Sequence, residues 1–297
     1  MNKLRALWLA VLGLAWLVVS PGEALAVSVQ GFHSERLSVV TQGQGPDVVL
    51  IPGLASSRHV WDDLVAQLSI THKVHLVQLA GFAGEPWGQP GEAFLQPVVE
   101  ELARYIQTEN LHAPAIIGHS LGGLCALMLA QAYPEAVGRV MTVDSLPFYS
   151  GLFGAQTVED ARPYAERAAA EMLSLDEATF DQRQQMVAQG MTHNPAMQAR
   201  ILEWSKASDR KAVAVALREV MLADVRPGLA GMKMPVTALY ADAGRPVEEV
   251  DAVWKAQYLN LQGVKLVRVQ GSYHFIMADR PQAFSEQVAA FLKTPEI

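Results

Sequence analysis

Gly118-His119-Ser120-Leu121-Gly122-Gly123 constrains this chain more than any other stretch, because it fits Gly-x-Ser-x-Gly between two recognisable elements. Ahead of it, Ala113-Pro114-Ala115-Ile116-Ile117 is a short apolar run with β-branched residues, which reads as a buried strand. Behind it, residues 121–132 carry Leu, Ala and Met at helical spacing and read as a helix packed on a sheet. A serine on so sharp a strand-to-helix turn needs small residues two positions to either side, because the backbone there is crowded, and Gly118 and Gly122 supply them. Such a turn lifts the hydroxyl out of the sheet to a helix N-terminus, where backbone N–H groups favour developing negative charge. The bland reading, a small-residue turn that merely lets a helix pack closely, fits the flanking elements less well.

The surrounding pattern alternates strand and helix. Strands are expected at 36–41, 47–51, 73–79, 113–117 and 138–143, with helices at 58–68, 93–108 and 121–132 between them. From about 157 to 222 no strand is evident, and 176–190, 195–205 and 210–222 each have helical spacing. Sheet logic resumes with a strand at 236–240, a helix at 247–259, a strand at 264–269 and a helix at 281–292. The expected fold is therefore α/β, a mostly parallel central sheet flanked by helices, with an inserted helical cap. The expected organisation is a leader at 1–26, a core built from 27–146 and 232–297, and an insertion at 147–231.

The leader is read from Lys3 and Arg5 as a positive head, residues 6–19 as an apolar core, and Ala24-Leu25-Ala26 as a small-residue cleavage site. The apolar core falls short of the roughly 20 residues that span a membrane. A periplasmic or secreted bacterial protein cleaved near Ala26, with no stable membrane span afterwards, is the expectation; an uncleaved anchor is the alternative. Cys125 is the one cysteine, so no intrachain disulfide can form, and it reads as a small core residue. The formal net charge is -7, and without Lys3, Arg5 and Glu23 the balance becomes 21 basic and 29 acidic side chains. That disfavours nucleic acid and anionic membrane surfaces as partners. No Cys/His cluster has metal-ligand spacing, and neither cofactor nor metal is expected.

Ile51-Pro52-Gly53-Leu54 near the start, the serine turn in the middle and Gly271-Ser272-Tyr273-His274 near the end together resemble an α/β-hydrolase of the esterase and lipase kind with a helical lid, over nearly all of 36–292. The resemblance implies a triad in the order Ser, acid, His and an oxyanion hole of two backbone N–H groups. Ser120 is then the nucleophile and His274 the base that takes its proton. The N–H groups of Leu54 and Leu121 are the oxyanion donors.

The acid departs from the family pattern. Its usual Gly-x-x-Asp turn falls on Ala241-Asp242-Ala243-Gly244, with Asp242 two residues early. Asp242 is the preferred candidate, by way of a shortened turn, and Asp144, at the end of the strand before the insertion, is the alternative. The family's Asp-x-Pro-Gly-x-Gly is also altered, to Gln78-Leu79-Ala80-Gly81-Phe82-Ala83-Gly84. Trp61 reads as helix packing rather than substrate contact.

A serine at position 120 excludes the dehalogenase and epoxide hydrolase chemistries of the fold, which need an aspartate nucleophile. What remains is acyl transfer to water, preferably from small to medium carboxylic esters. Thioesterase, lactonase and amidase activities, an acyltransferase and a non-catalytic ligand-binding homologue are the alternatives. Met172, Met186, Met191, Met197 and Met221, with Phe148, Tyr149, Phe153 and Trp204, suit an adaptable apolar pocket or equally an ordinary insertion core.

Overall fold

The structure is a computed structural model, and it describes residues 31–88 and 93–293. The leader at 1–26 lies outside the described residues. The described strands are β1 (Leu37–Gln42), β2 (Asp47–Ile51), β3 (Lys73–Leu79), β4 (Ala115–His119), β5 (Arg139–Val143), β6 (Val236–Ala241) and β7 (Lys265–Val269). They form one sheet in the order β1-β3-β2-β4-β5-β6-β7. Among the described strands only β1 runs antiparallel, against β3; the other strand pairings of the sheet are parallel.

Strands covered on both faces read as continuous apolar runs, and β4, β5 and β6 are buried along their whole length. The edge strands β1 and β7 are largely exposed or half-buried instead. Along β2 the side chains alternate between two cores. Val49 and Ile51 pack with α2 (Leu95–Thr108) and α3 (Leu121–Ala132), while Val48 and Leu50 pack with α1 (Asp62–Leu68) and the C-terminal helix at Pro281–Leu292.

Between β5 and β6 come α4 (Val158–Ser174), α5 (Glu177–Met191), α6 (Pro195–Ala207) and α7 (Arg210–Leu222). Of these, α4 lies in a stretch read only as generally helical; a capping box of Thr157 and Asp160 starts it, and Pro163 is tolerated in its second turn. The insertion packs on both layers. Ala212, Val213 and Ala216 of α7 join the core around α2 and α3, and Met197, Ile201 and Trp204 of α6 join the other. Glu219 of α7 accepts the N–H groups of Phe94 and Leu95 and so caps α2. The remaining helices are α8 (Val247–Gln257), the single turn α9 (Ile276–Asp279) and α10 (Pro281–Leu292). Among the described residues no helix is long and apolar enough to cross a membrane.

Candidate active site

Ser120 sits between β4 and α3 at φ 53°, ψ −120°, a left-handed conformation rare for any residue with a side chain. The turn is held by its own backbone: Ser120 N–H donates to Val143 O at 2.9 Å, and Ser120 O accepts from Gly123 and Leu124 N–H at 2.9 and 3.1 Å. The flanking glycines are sterically required. A methyl group on Gly118 would lie 2.2 Å from Gly122 O, and one on Gly122 would lie 2.3 Å from Ile51 O.

The loop leaving β2 abuts this turn. A Cβ on Gly53 would stand 3.2 Å from Ser120 Cβ and 3.0 Å from His119 Nδ1. Leu54 is therefore carried beside the serine, while Leu121 opens α3 with an N–H that has no intrahelical acceptor. Gln78 fastens the far side of that loop. Its Oε1 accepts Arg58 N–H at 2.7 Å, and its Nε2 donates to Ser56 O and Phe82 O at 3.3 and 3.1 Å. This carboxamide stands where the family motif has Asp, and it satisfies donors and acceptors together, which a carboxylate cannot.

His274 arrives on the loop after β7. Its Nδ1–H donates to Asp144 Oδ2 at 2.7 Å, and its backbone carbonyl accepts from His119 Nε2–H at 3.0 Å. The rings of His119 and His274 are 4.5 Å apart, so the imidazole lies against the residue that immediately precedes Ser120. His119 is fully enclosed; burial first, and the neighbouring His274 second, hold it well below the usual histidine range, so it stays neutral. The hydroxyl of Tyr149 is pushed up by burial and then by the Asp144 carboxylate, and it remains a neutral O–H.

The expected pairing of Asp242 with His274 is corrected by this geometry. Asp242 Oδ2 accepts Gly271 N–H at 2.9 Å, and its Oδ1 accepts Gly244 N–H at 3.4 Å. The cause is register. Pairing of β6 with β7 runs through Ala241 and Val269, so Asp242 follows directly beside the loop backbone, three residues short of His274. Asp144 instead leaves β5 at φ 48° and swings its carboxylate over the end of β6, where Oδ1 accepts Ala241 N–H at 2.9 Å.

Other singled-out residues divide cleanly. Trp61 is fully buried and stacks on Phe284, which is a packing role. Cys125 is buried inside α3, where burial pushes its thiol up to about 12. Phe148, Met197 and Trp204 are buried, whereas Phe153 and Met186 are exposed on the outside of the insertion. Asp279, which carried no motif, accepts Tyr273 N–H, Thr192 Oγ1–H and His193 N–H. Among the described residues no group of three His, Cys, Asp or Glu side chains is arranged to hold a metal.

Comparison with known proteins bears on this arrangement. The model of the alpha/beta hydrolase family matches residues 48–287. A pimeloyl-(acyl-carrier protein) methyl ester esterase of Aeromonas hydrophila is 40% identical over 113 residues, a stretch covering 38% of this chain and 43% of that relative. The chain thus spans under half the length of that relative. A protein of the same description from Pectobacterium carotovorum is 28% identical over 267 residues, covering 84% of this chain and 96% of its own. Among solved structures, the enol-lactonase from Burkholderia xenovorans has a TM-score of 0.73 at 19% identity, covering 87% of this chain and 96% of that one. An esterase from Exiguobacterium antarcticum has a TM-score of 0.74 at 15% identity, with coverage of 87% and 96%. At such identities the solved structures speak for the fold alone. By its strand order and by a family match spanning most of its length, the chain belongs to the alpha/beta hydrolase family.

Proposed function

We propose that this chain is a serine hydrolase of carboxylic esters, working through an acyl-enzyme. The observation that carries the reading is the 2.7 Å bond from His274 Nδ1–H to Asp144, on an imidazole packed against the residue before a strained Ser120. Ser120 Oγ attacks the ester carbonyl carbon as its proton passes to His274 Nε2. Asp144 holds the ring in the tautomer that leaves Nε2 free and stabilises the imidazolium that forms. The oxyanion of the tetrahedral intermediate is received by the N–H groups of Leu54 and Leu121, each donor being worth about 3 kcal/mol in the transition state. Collapse breaks the bond to the alcohol, which leaves with the proton from His274. Water, deprotonated by the same imidazole, then releases the acid and regenerates Ser120.

The relatives described as methyl ester esterases support a small alcohol leaving group on an acyl chain of moderate length. The charged head and apolar core of the leader support action outside the cytoplasm after cleavage near Ala26, which N-terminal sequencing of the exported protein tests.

The test of the activity is a serine-reactive phosphonate together with a panel of p-nitrophenyl and methyl esters. Labelling at Ser120 that disappears in His274→Ala, with turnover of the shorter esters, is the expected result. A folded protein that neither labels nor hydrolyses any of them overturns the reading in favour of a binding protein.

A further inference from the structure

The segment around His274 is held from outside the sheet as well as from within it. Phe275 N–H, on one side of the histidine, donates to Met191 O at 3.1 Å. Tyr273 N–H, on the other side, donates to Asp279 Oδ2 at 2.8 Å. The second oxygen of Asp279 accepts Thr192 Oγ1–H at 2.6 Å and His193 N–H at 2.8 Å. Both amides flanking the imidazole therefore end on the last residue of α5 or the turn that follows it, one directly on Met191 O and one through Asp279.

Further contacts join the same two segments. Asn194 Nδ2–H donates to Ala278 O at 3.3 Å while its Oδ1 caps α6. The ring of His193 meets that of Tyr273 edge-on at 4.1 Å, and Thr192 is almost fully buried.

A carboxylate that accepts three hydrogen bonds from two segments far apart in sequence fixes their relative position, because charge-assisted bonds are short and directional. Asp144 and His119 restrain the ring and the carbonyl of His274, and neither of them belongs to the insertion. The insertion sets the backbone after the histidine directly, through Met191 O, and the backbone before it through Asp279, while Ala243 N–H on Ser272 O and Asp242 on Gly271 N–H tie the preceding residues to the end of β6. We propose that Asp279 is a positioning residue that couples the α5–α6 turn to His274, so that the imidazole is aligned only while this turn is docked. The inference rests on the reading of His274 as the base.

The experiment uses Asp279→Ala, Asp279→Asn and Thr192→Val, each in the full chain. The readouts are kcat and KM on a p-nitrophenyl ester, and the low-field proton resonance of the bond between His274 and Asp144. A misplacement near 1 Å costs about 100-fold in rate, so kcat of Asp279→Ala should fall by about that factor. KM should hardly move, and the resonance should broaden or vanish. Thr192→Val, which removes one donor and keeps the side-chain volume, should show a smaller loss of the same kind even where Asp279→Ala fails to fold. A kcat near that of the unmodified chain in Asp279→Asn and Thr192→Val, with a sharp resonance, overturns the proposal, as does a loss confined to KM. If the unmodified chain itself neither labels with phosphonate nor turns over esters, the assignment of the base falls, and the resonance in the variants alone decides the coupling.

Discussion

Asp144 Oδ2 lies 2.7 Å from His274 Nδ1, across 130 residues of chain, whereas Asp242 spends both its oxygens on backbone N–H groups. Asp144→Asn should therefore lower kcat by about 10⁴-fold, because an amide that donates to Nδ1 selects the wrong tautomer. Asp242→Asn keeps an acceptor for Gly271 and should lose far less. Steady-state rates on a p-nitrophenyl ester for the two variants check this. The assignment fails if Asp242→Asn is the crippled one.

Gln78 makes a separate prediction about the loop that carries Leu54. Gln78→Leu removes the acceptor for Arg58 N–H and the donor for Ser56 O and Phe82 O, all in a buried setting. Leaving buried polar groups unpaired costs about 1–3 kcal/mol each. A lowered urea midpoint is expected, together with a loss in kcat greater than any rise in KM, since the proposed oxyanion donor rides on that loop. An unchanged kcat in a destabilised variant would reduce Gln78 to a structural role.

What could be read from residues alone was the scaffold. Buried strands show as short apolar runs and helices by their 3.6-residue spacing, so β2, β3, α3, α7 and α10 fall where their patterns place them. The serine turn is equally legible, because a left-handed serine tolerates few neighbours besides glycine. The partner of His274 was not decidable in that way. Asp144 and Asp242 both end inner strands, and the choice turns on the φ of 48° at Asp144 and on the register of β6 against β7, neither of which has a local signature. Asp279 is less visible still, since its three donors come from segments more than 80 residues apart or from its own turn. Helix α4 has little signature of its own because its apolar face is thin; Ala161 and Ala165 are the residues it buries.

One glycine of the serine turn and one of the insertion predict a contrast that involves no chemistry. In Gly122→Ala the new methyl meets Ile51 O at 2.3 Å and Pro52 O at 2.6 Å, and both are backbone atoms that cannot swing away. Overpacking of this kind costs about 1–3 kcal/mol. Gly190, inside α5, has open space where its Cβ would be, so Gly190→Ala should instead stabilise by about 0.5–1 kcal/mol through helix propensity. Urea unfolding of the two variants should move in opposite directions. A tolerated Gly122→Ala would mean that the loop after β2 yields easily.

Two buried histidines set the response of stability to acid. His75 is fully buried in β3, where its Nε2–H donates to Asp47 at 2.8 Å and its Nδ1 accepts from Tyr105 O–H at 2.6 Å, a pattern that suits the neutral ring. Burial lowers its pKa despite Asp47, and burial lowers that of His119 further. A histidine depressed in the fold binds its proton more readily when unfolded. The stability it contributes is thus fully present above the ordinary value near 6.5 and drains away as pH falls toward the folded value. The slope approaches about 1.4 kcal/mol per pH unit for each such ring. The urea midpoint should therefore drop between pH 7 and pH 5, and less steeply in His119→Gln, whose amide can still donate to His274 O but does not titrate. Equal slopes in the two proteins would mean that His119 takes up a proton inside the folded chain, and its place beneath His274 would then have to be wetter than the packing around it allows.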